Sequence, residues 1–194
     1  VLMDMKAIFM VLLTVLSGTI NCQCDNNLIL NGSFELDSIG EAITAQYWIS
    51  VEGTPDLDNA NDNRPQIGNR NWDGQVLSSS DGGNWQNIAY RVNVSGVQQF
   101  EIIGQEVTFE KCIPHILEFE FTSQIIETSQ TRNGHSAVDV YLDNLLIHTT
   151  ELDTTVFTWE NVKIKFTPVR KESRLEFHIN PNLNFEGANI IKYI

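Results

Sequence analysis

The sequence is poor in basic residues, and this shortage disfavours two classes of partner. Lysine and arginine together number 12 against 25 aspartates and glutamates, which gives a formal net charge of −13 over 194 residues. Nucleic acids and anionic membrane surfaces attract basic proteins, so we expect neither as a partner. Hydrophobic residues still make up 42% of the chain. That share is enough to build a core and argues against disorder.

Motifs for catalysis and for zinc are also missing. The four histidines are scattered, with no HExxH or Cys-x-x-Cys spacing, no Gly-x-Ser-x-Gly elbow and no glycine-rich phosphate loop. Glu118 and Glu120 share one face of a predicted strand about 7 Å apart, a spacing reminiscent of paired glycosidase carboxylates. Lysines on other predicted strands could neutralise them, which favours a solvated face. The sequence therefore predicts a protein that is not an enzyme.

A single long apolar run lies at the start of the chain. Lys6 precedes an apolar stretch over residues 7–16, which is too short to span about 30 Å of hydrocarbon. A basic residue followed by such a run is typical of a secretory signal peptide. We expect residues 1–22 to be this signal and residues 23–194 to form a secreted, extracellular domain. Cleavage after Gly18 is the alternative, and no second run predicts a membrane span.

Cysteine is scarce, and the three residues present suggest one covalent bond. Cleavage after Cys22 would leave Cys24 and Cys112, which predict a single disulfide in an oxidising compartment. A free Cys112 is the alternative. Two Asn-x-Ser sequons, at Asn31 and Asn93, predict glycosylation. Asn93 is the better candidate, because Asn31 adjoins an apolar segment.

Alternating polar and apolar residues dominate the rest of the chain. Four segments alternate strictly, at residues 117–121, 138–142, 162–166 and 175–179, which is typical of half-buried antiparallel strands. Shorter apolar runs bring the expected number of strands to eight or nine, and no helical periodicity persists for three turns. The pattern predicts an all-β fold with almost no helix: an antiparallel two-sheet β-sandwich of the jelly-roll type.

The segment 53–84 departs from this alternation and is rich in Asp, Asn, Gly and Ser. Long loops of this kind often carry the binding surface of a domain. Trp72 and Trp85 lie within or beside it, and an indole can stack on the apolar face of a sugar ring. The polar residues expected to bind hydroxyl groups beside them are Asn71, Asp73, Asp81 and Asn84. Alternatively, each of these two indoles caps the core; Trp48 and Trp159 are expected to be core residues.

Several motifs occur in an order typical of one family. Residues 27–35, Asn-Leu-Ile-Leu-Asn-Gly-Ser-Phe-Glu, are followed by Tyr47-Trp48, and later landmarks lie at 54–56, 81–85, 101–107 and 175–179. This order resembles galactose-binding-domain-like jelly rolls, as found in secreted carbohydrate-binding modules, over residues 25–194. The resemblance implies a carbohydrate-binding β-sandwich.

The same resemblance implies a structural calcium ion. Family members often hold Ca²⁺ between the first and last strands, and Glu35 matches the glutamate that supplies oxygen ligands there. The chain departs from the family pattern at Ala188, where an aspartate would supply further ligands.

Two functions follow as expectations. The first is a secreted, non-catalytic module that binds an extracellular glycan or matrix polysaccharide through loop aromatics. The alternative is an acidic extracellular-matrix or biomineral-matrix protein, whose distributed carboxylates attract calcium or a mineral surface through their summed field.

Overall fold

The computed structural model describes residues 27–59, 79, 83–92, 97–125, 136–151, 158–181 and 190–193. Within these ranges the chain forms eleven β-strands and no helix. The strands are β1 (Ile49–Glu52), β2 (Leu57–Asn59), β3 (Asn84–Val92), β4 (Gln98–Phe100), β5 (Ile102–Thr108), β6 (His115–Ile125), β7 (Ser136–Leu142), β8 (Leu145–Thr149), β9 (Glu160–Phe166), β10 (Glu172–Pro181) and β11 (Ile190–Tyr193).

The strands form two antiparallel sheets. A five-stranded sheet has the order β1-β5-β10-β7-β8, and the second sheet has the order β2-β3-β11-β6-β9, with β4 also paired to β3. The four alternating segments of the sequence fall in β6, β7, β9 and β10. The predicted all-β sandwich is confirmed. The expected eight or nine strands are exceeded because three-residue strands such as β2 and β4 lack a readable alternation.

The core lies between the inner faces of the two sheets. Leu175, Phe177 and Ile179 of β10 are each at most 3% exposed, and Phe121 of β6 is fully buried. Phe177 contacts an aromatic ring from the other sheet, Phe119, at a centroid separation of 5.0 Å. Burying each such side chain stabilises the fold by about 1.5–3 kcal/mol. The alternation in the sequence therefore determines which face of each strand packs inward.

β6 pairs with β9, and a lysine of β9 neutralises one of the two glutamates on the outer face of β6. Glu118 lies directly opposite Lys163 in the strand register, and the two side chains form an ion pair at 3.0 Å. On the other sheet, Arg174 pairs with Glu106 at 2.8 Å. Both pairs are exposed, so they contribute little to stability. They do determine which charged side chains on the outer face of each sheet are paired.

The hairpin between β7 and β8 depends on its turn residues. Asp143 and Asn144 both adopt positive φ, at 50° and 65°, and Leu142 pairs with Leu145 across the turn. A two-residue hairpin loop with both residues at positive φ is the type I′ turn, which Asn and Asp tolerate better than other non-glycine residues. The Asp143-Asn144 pair in the sequence therefore favours the turn that this hairpin requires.

Residues 27–48 precede the first strand, and we call them the strap. Two buried glutamines pin the strap, one from each sheet. The side-chain amide of Gln105 in β5 forms two hydrogen bonds with Leu30. It accepts one from the backbone N–H and donates one to the carbonyl, each at 2.8 Å. Gln86 of β3 accepts from the N–H of Ala45 at 3.1 Å and donates to the carbonyl of Ile43 at 3.2 Å. These amides satisfy strap backbone groups that no strand pairs.

The strap also carries an unusual number of left-handed residues. Asn31, Phe34, Ala42 and Tyr47 have φ values between 51° and 72°. Such conformations cost on the order of 1–3 kcal/mol each for non-glycine residues. Three hydrogen bonds hold Asn31 in this conformation. Its carbonyl accepts from the Trp48 indole N–H at 3.1 Å, and its side-chain amide donates to the carbonyl of Gln46 and accepts from the N–H of Leu36.

Several sequence expectations concern residues outside the described ranges. The signal peptide over 1–22, Cys24 and Asn93 lie there, so secretion, the disulfide and that glycan stay predictions. Cys112 is exposed, and the side-chain nitrogen of Asn31 already donates to the carbonyl of Gln46. Within the described part, no helix is long and apolar enough to cross a membrane.

Replacing Gln86 by leucine tests the role of the buried amides. The substitution removes the partners of Ala45 N–H and of the Ile43 and Asp56 carbonyls, so we expect a loss of at least ~2 kcal/mol in the free energy of unfolding. Urea denaturation measures this loss. The same replacement at exposed Gln99 should change stability by less than ~0.5 kcal/mol, and equal effects at both sites would contradict the assignment.

Candidate functional site

The described part of β11 reaches only part of the way along its two neighbours in the second sheet. β11 ends at Tyr193, which lies opposite Asn87 of β3 and Thr122 of β6. β3 and β6 both continue past this point, through residues 84–86 and 115–121. Among the described strands, none lies between these two segments. We call the gap the sheet opening.

A cavity of about 340 Å³ lies at the sheet opening. It falls within the size range of small-molecule sites, roughly 300–1,000 Å³. Its lining comes from the strap, from both sheets, from Ser79 and from the residue before β9. The lining residues are Asn27, Ile29, Gly32, Ser33, Phe34, Trp48, Ser79, Asn84, Trp85, Leu117, Glu118, Phe119, Glu120, Trp159, Leu175 and Phe177.

Strand alternation divides the lining into an inner and an outer side. The aromatic residues of the inner side belong to the core or pack against it: Phe34, Trp48, Phe119 and Phe177. Trp85 alternates with Gln86 and with the core residue Ile88, so its side chain lies on the outer face of the sheet. The cavity therefore passes from the core through the sheet opening to the outer face.

Two indoles meet on the outer side. The rings of Trp85 and Trp159 lie edge to face, with centroids 6.4 Å apart. Trp85 is only 1% exposed, so the expectation that it forms an exposed platform is wrong. Packing against Trp159 helps to explain this burial. The expectation that Trp159 is a core residue is also wrong, because its side chain is half-buried and lines the cavity. Trp48 is a core residue, as predicted.

Asn84 is the predicted polar residue that reaches the cavity, and it also anchors the strap. Its side-chain nitrogen donates to the carbonyl of Phe34 at 3.1 Å and, more weakly, to that of Asp37 at 3.4 Å. Its side-chain oxygen accepts from Asn59 at 3.1 Å. Ser79 supplies a different kind of polar group, because its hydroxyl is buried without a hydrogen-bond partner and lines the cavity.

The expected calcium ligand lies beside Asn84. The carboxylate of Glu35 accepts a hydrogen bond from the backbone N–H of Asn84, and a Cβ at Gly83 would collide with it at 1.9 Å. The nearby carbonyls of Phe34 and Asp37 accept hydrogen bonds from the side-chain amide of Asn84. No group of three acidic, histidine or cysteine residues gathers within the described part. Ala188 lies outside the described ranges, so the calcium ion at Glu35 stays a prediction.

The remaining predicted ligand residues, Trp72, Asn71, Asp73 and Asp81, lie outside the described ranges. Of the six, the structure brings together Trp85 and Asn84. Sequence reasoning missed Trp159 because alternation through β9 resembled that of a core strand. The alternation of residue numbers could have identified it. Val162 and Ile164 face inward, so the odd-numbered residues Trp159 and Lys163 share the opposite face.

Comparisons with known proteins give limited similarity. No protein-family model and no curated protein matches the chain. Carbohydrate-binding modules recur among similar solved structures. TmCBM61, solved with β-1,4-galactotriose, is 11% identical, with 87% of this chain and 94% of that chain covered and a TM-score of 0.47. The Stig cyclase FisC from Fischerella sp. TAU is also 11% identical. The match covers 86% of this chain and 96% of the cyclase chain, with a TM-score of 0.47. A CBM51 module from Clostridium perfringens, solved with methyl-galactose, is 13% identical. The match covers 75% of this chain and 92% of the module, with a TM-score of 0.29.

Replacing Lys163 by methionine tests the electrostatics beside the cavity. The hydrogen bond and charge of the Lys163 ammonium hold the pKa of Glu118 below its ordinary value. We expect the pKa of Glu118 to rise in the variant, measured by NMR titration of its side-chain carboxyl. In the wild type, this pair stabilises the fold above the unfolded pKa, and the effect is lost as the pH falls through the lowered folded pKa. The same change at Lys165 should leave Glu118 unchanged; an unmoved pKa in the Lys163 variant would contradict the pairing.

Proposed function

We propose that this chain is a secreted, non-catalytic protein that binds a carbohydrate in the cavity at the sheet opening. The observation that carries the proposal is the pair of indoles on the outer side of a cavity with a polar margin. Sugar rings have an apolar face of C–H groups and a periphery of hydroxyls. An aromatic wall and a few polar groups match both parts.

The polar groups differ in what they could offer a sugar. The side-chain amide of Asn84 is engaged with the strap and with Asn59, so its main role is to hold the wall in place. Ser79 brings a hydroxyl that is buried and unpaired. A buried polar group without a partner costs about 1–3 kcal/mol. A ligand hydroxyl that bonded Ser79 would recover this cost, which favours a polyhydroxylated ligand over a purely apolar one.

The acidic-matrix alternative and the calcium ion stay predictions. The first depends on the net charge of −13 and on carboxylates spread over outer strand faces, such as Glu118. The second depends on the family resemblance at Glu35. A field distributed in this way would bind calcium weakly and with strong salt dependence.

A glycan array with the wild type and a Trp159→Ala variant tests the proposal. Trp159 is half-buried, so its truncation should leave the fold intact while removing one wall of the cavity. We expect the affinity for the bound glycan to fall at least tenfold. Tyr141→Ala, on the other sheet, is the matched aromatic control and should keep wild-type affinity. Equal binding by the wild type and the Trp159 variant would remove the cavity as the glycan site.

Running the same array with EDTA separates the sugar from the metal. Glycan binding that survives EDTA, with an unchanged melting temperature, would count against a calcium ion at Glu35. If EDTA abolishes glycan binding and lowers the melting temperature, and added Ca²⁺ restores both, the result would support a calcium ion at Glu35.

A further inference from the structure

A second cavity, of about 330 Å³, lies between the end of β1 and strand β4, and we call it the β1–β4 cavity. Its volume is at the small end of the range for small-molecule sites. It shares no lining residue with the cavity at the sheet opening. The described residues that line it are Glu52, Gly53, Thr54, Ala89, Gln98, Gln99, Phe100 and Glu101.

A buried acidic residue forms one wall of the β1–β4 cavity. Glu101, between β4 and β5, is only 7% exposed. Its backbone N–H donates to the carbonyl of Ala89 at 2.9 Å, and its carboxylate accepts from the N–H of the same residue at 2.9 Å. These two bonds fix Glu101 against β3. A carboxylate can accept about four hydrogen bonds, so the bond from Ala89 does not exhaust its capacity.

Gly53 packs against the same side chain. Its φ is +75°, and a Cβ there would lie 2.6 Å from Cγ of Glu101 and 2.8 Å from the carbonyl oxygen of Phe100. Only glycine permits this approach without strain. The carbonyl of Gly53 in turn accepts from the Ser50 hydroxyl at 2.8 Å. The close contact with Gly53 and the bond from Ala89 therefore preorganise the carboxylate of Glu101.

The other polar side chains of the β1–β4 cavity are accessible to solvent. Glu52, at the end of β1, is exposed and makes no hydrogen bond or ion pair within the described part of the chain. Gln98 and Gln99 of β4 are exposed primary amides, which can donate and accept at once. Of the described side chains in the lining, two are carboxylates and none is basic. Together with the net charge of −13, this lining favours a cationic ligand.

We propose that the β1–β4 cavity binds an amino sugar through an unacetylated ammonium group. A primary ammonium has three N–H donors and a positive charge, which match the carboxylates of Glu52 and Glu101. Hydrogen bonds between charged groups are also stronger than neutral ones. The sugar hydroxyls would bond the amides of Gln98 and Gln99 and the hydroxyl of Thr54. A plain amine, such as a lysine side chain, would leave these groups unused.

Binding here does not depend on the cavity at the sheet opening, because the two linings are separate. The Trp159→Ala variant should therefore keep wild-type affinity for the amino sugar. Failure of glycan binding at the sheet opening would leave binding in the β1–β4 cavity unchanged, and the reverse also holds.

NMR titration with methyl β-glucosaminide tests the proposal. The backbone N–H of Ala89 reports on this site, because it is bonded to the Glu101 carboxylate. Three matched controls are methyl β-glucoside, which lacks the amine, methyl N-acetyl-β-glucosaminide, in which acetylation removes the charge, and Nα-acetyl-lysine amide, which lacks the sugar hydroxyls. We expect each control to bind roughly tenfold more weakly.

The controls also define the results that would contradict the proposal. Equal binding of the glucoside would show that the ammonium is not recognised. Equal binding of the lysine derivative would show that the cavity takes a plain amine instead of a sugar. An Ala89 N–H resonance that does not move at millimolar concentrations of the glucosaminide would overturn the proposal altogether.

Two glutamine variants then test the carboxylates. Glu52→Gln should weaken glucosaminide binding roughly tenfold, while Glu172→Gln, the same charge change at an exposed residue outside the cavity, should not. Glu101→Gln keeps an oxygen that can accept from Ala89 but removes the charge, so it should abolish the preference for the glucosaminide over the glucoside. Circular dichroism verifies that each variant is folded. Identical affinities for Glu52→Gln and Glu172→Gln would contradict a contact between Glu52 and the ammonium.

Discussion

The structure depends on the requirement that buried backbone groups be hydrogen-bonded. The strap contributes polar backbone to the region around both sheets without joining either as a strand, so its N–H and carbonyl groups need other partners. Gln86, Gln105 and Asn84 supply these partners, and each does so from a strand. A primary amide suits this task because it donates and accepts at once without carrying charge. Among the strap residues at positive φ, Phe34 is held in this way, through its carbonyl.

This arrangement positions the cavity. Phe34 and Trp48 reach the inner lining because the strap places them against Phe177, with the Phe34 and Trp48 rings 5.1 Å apart and those of Trp48 and Phe177 5.9 Å apart. Asn84 ties the same strap to the edge of β3, next to Trp85. The half-buried amide of Asn84 therefore connects the strap to the aromatic residues that line the cavity. A change in the strap should reach the cavity through the packing of these rings.

The cavity offers two kinds of surface. Aromatic side chains line its inner and outer sides, and the polar groups of Asn84 and Ser79 also line it. A saccharide combines an apolar face with a periphery of hydroxyl groups, so both kinds of surface match the ligand proposed above.

The sequence by itself determined the class of fold, the four longest alternating segments, and the turn at Asp143 and Asn144. Each of these follows from local spacing, because alternation and turn preference act between residues close in the chain. Tertiary structure alone decided that Trp85 is buried, that Trp159 faces the cavity, and that Asn84 holds the strap. These outcomes depend on which strands lie side by side. They also depend on which strap residues lie beside β3, and no local pattern encodes either feature.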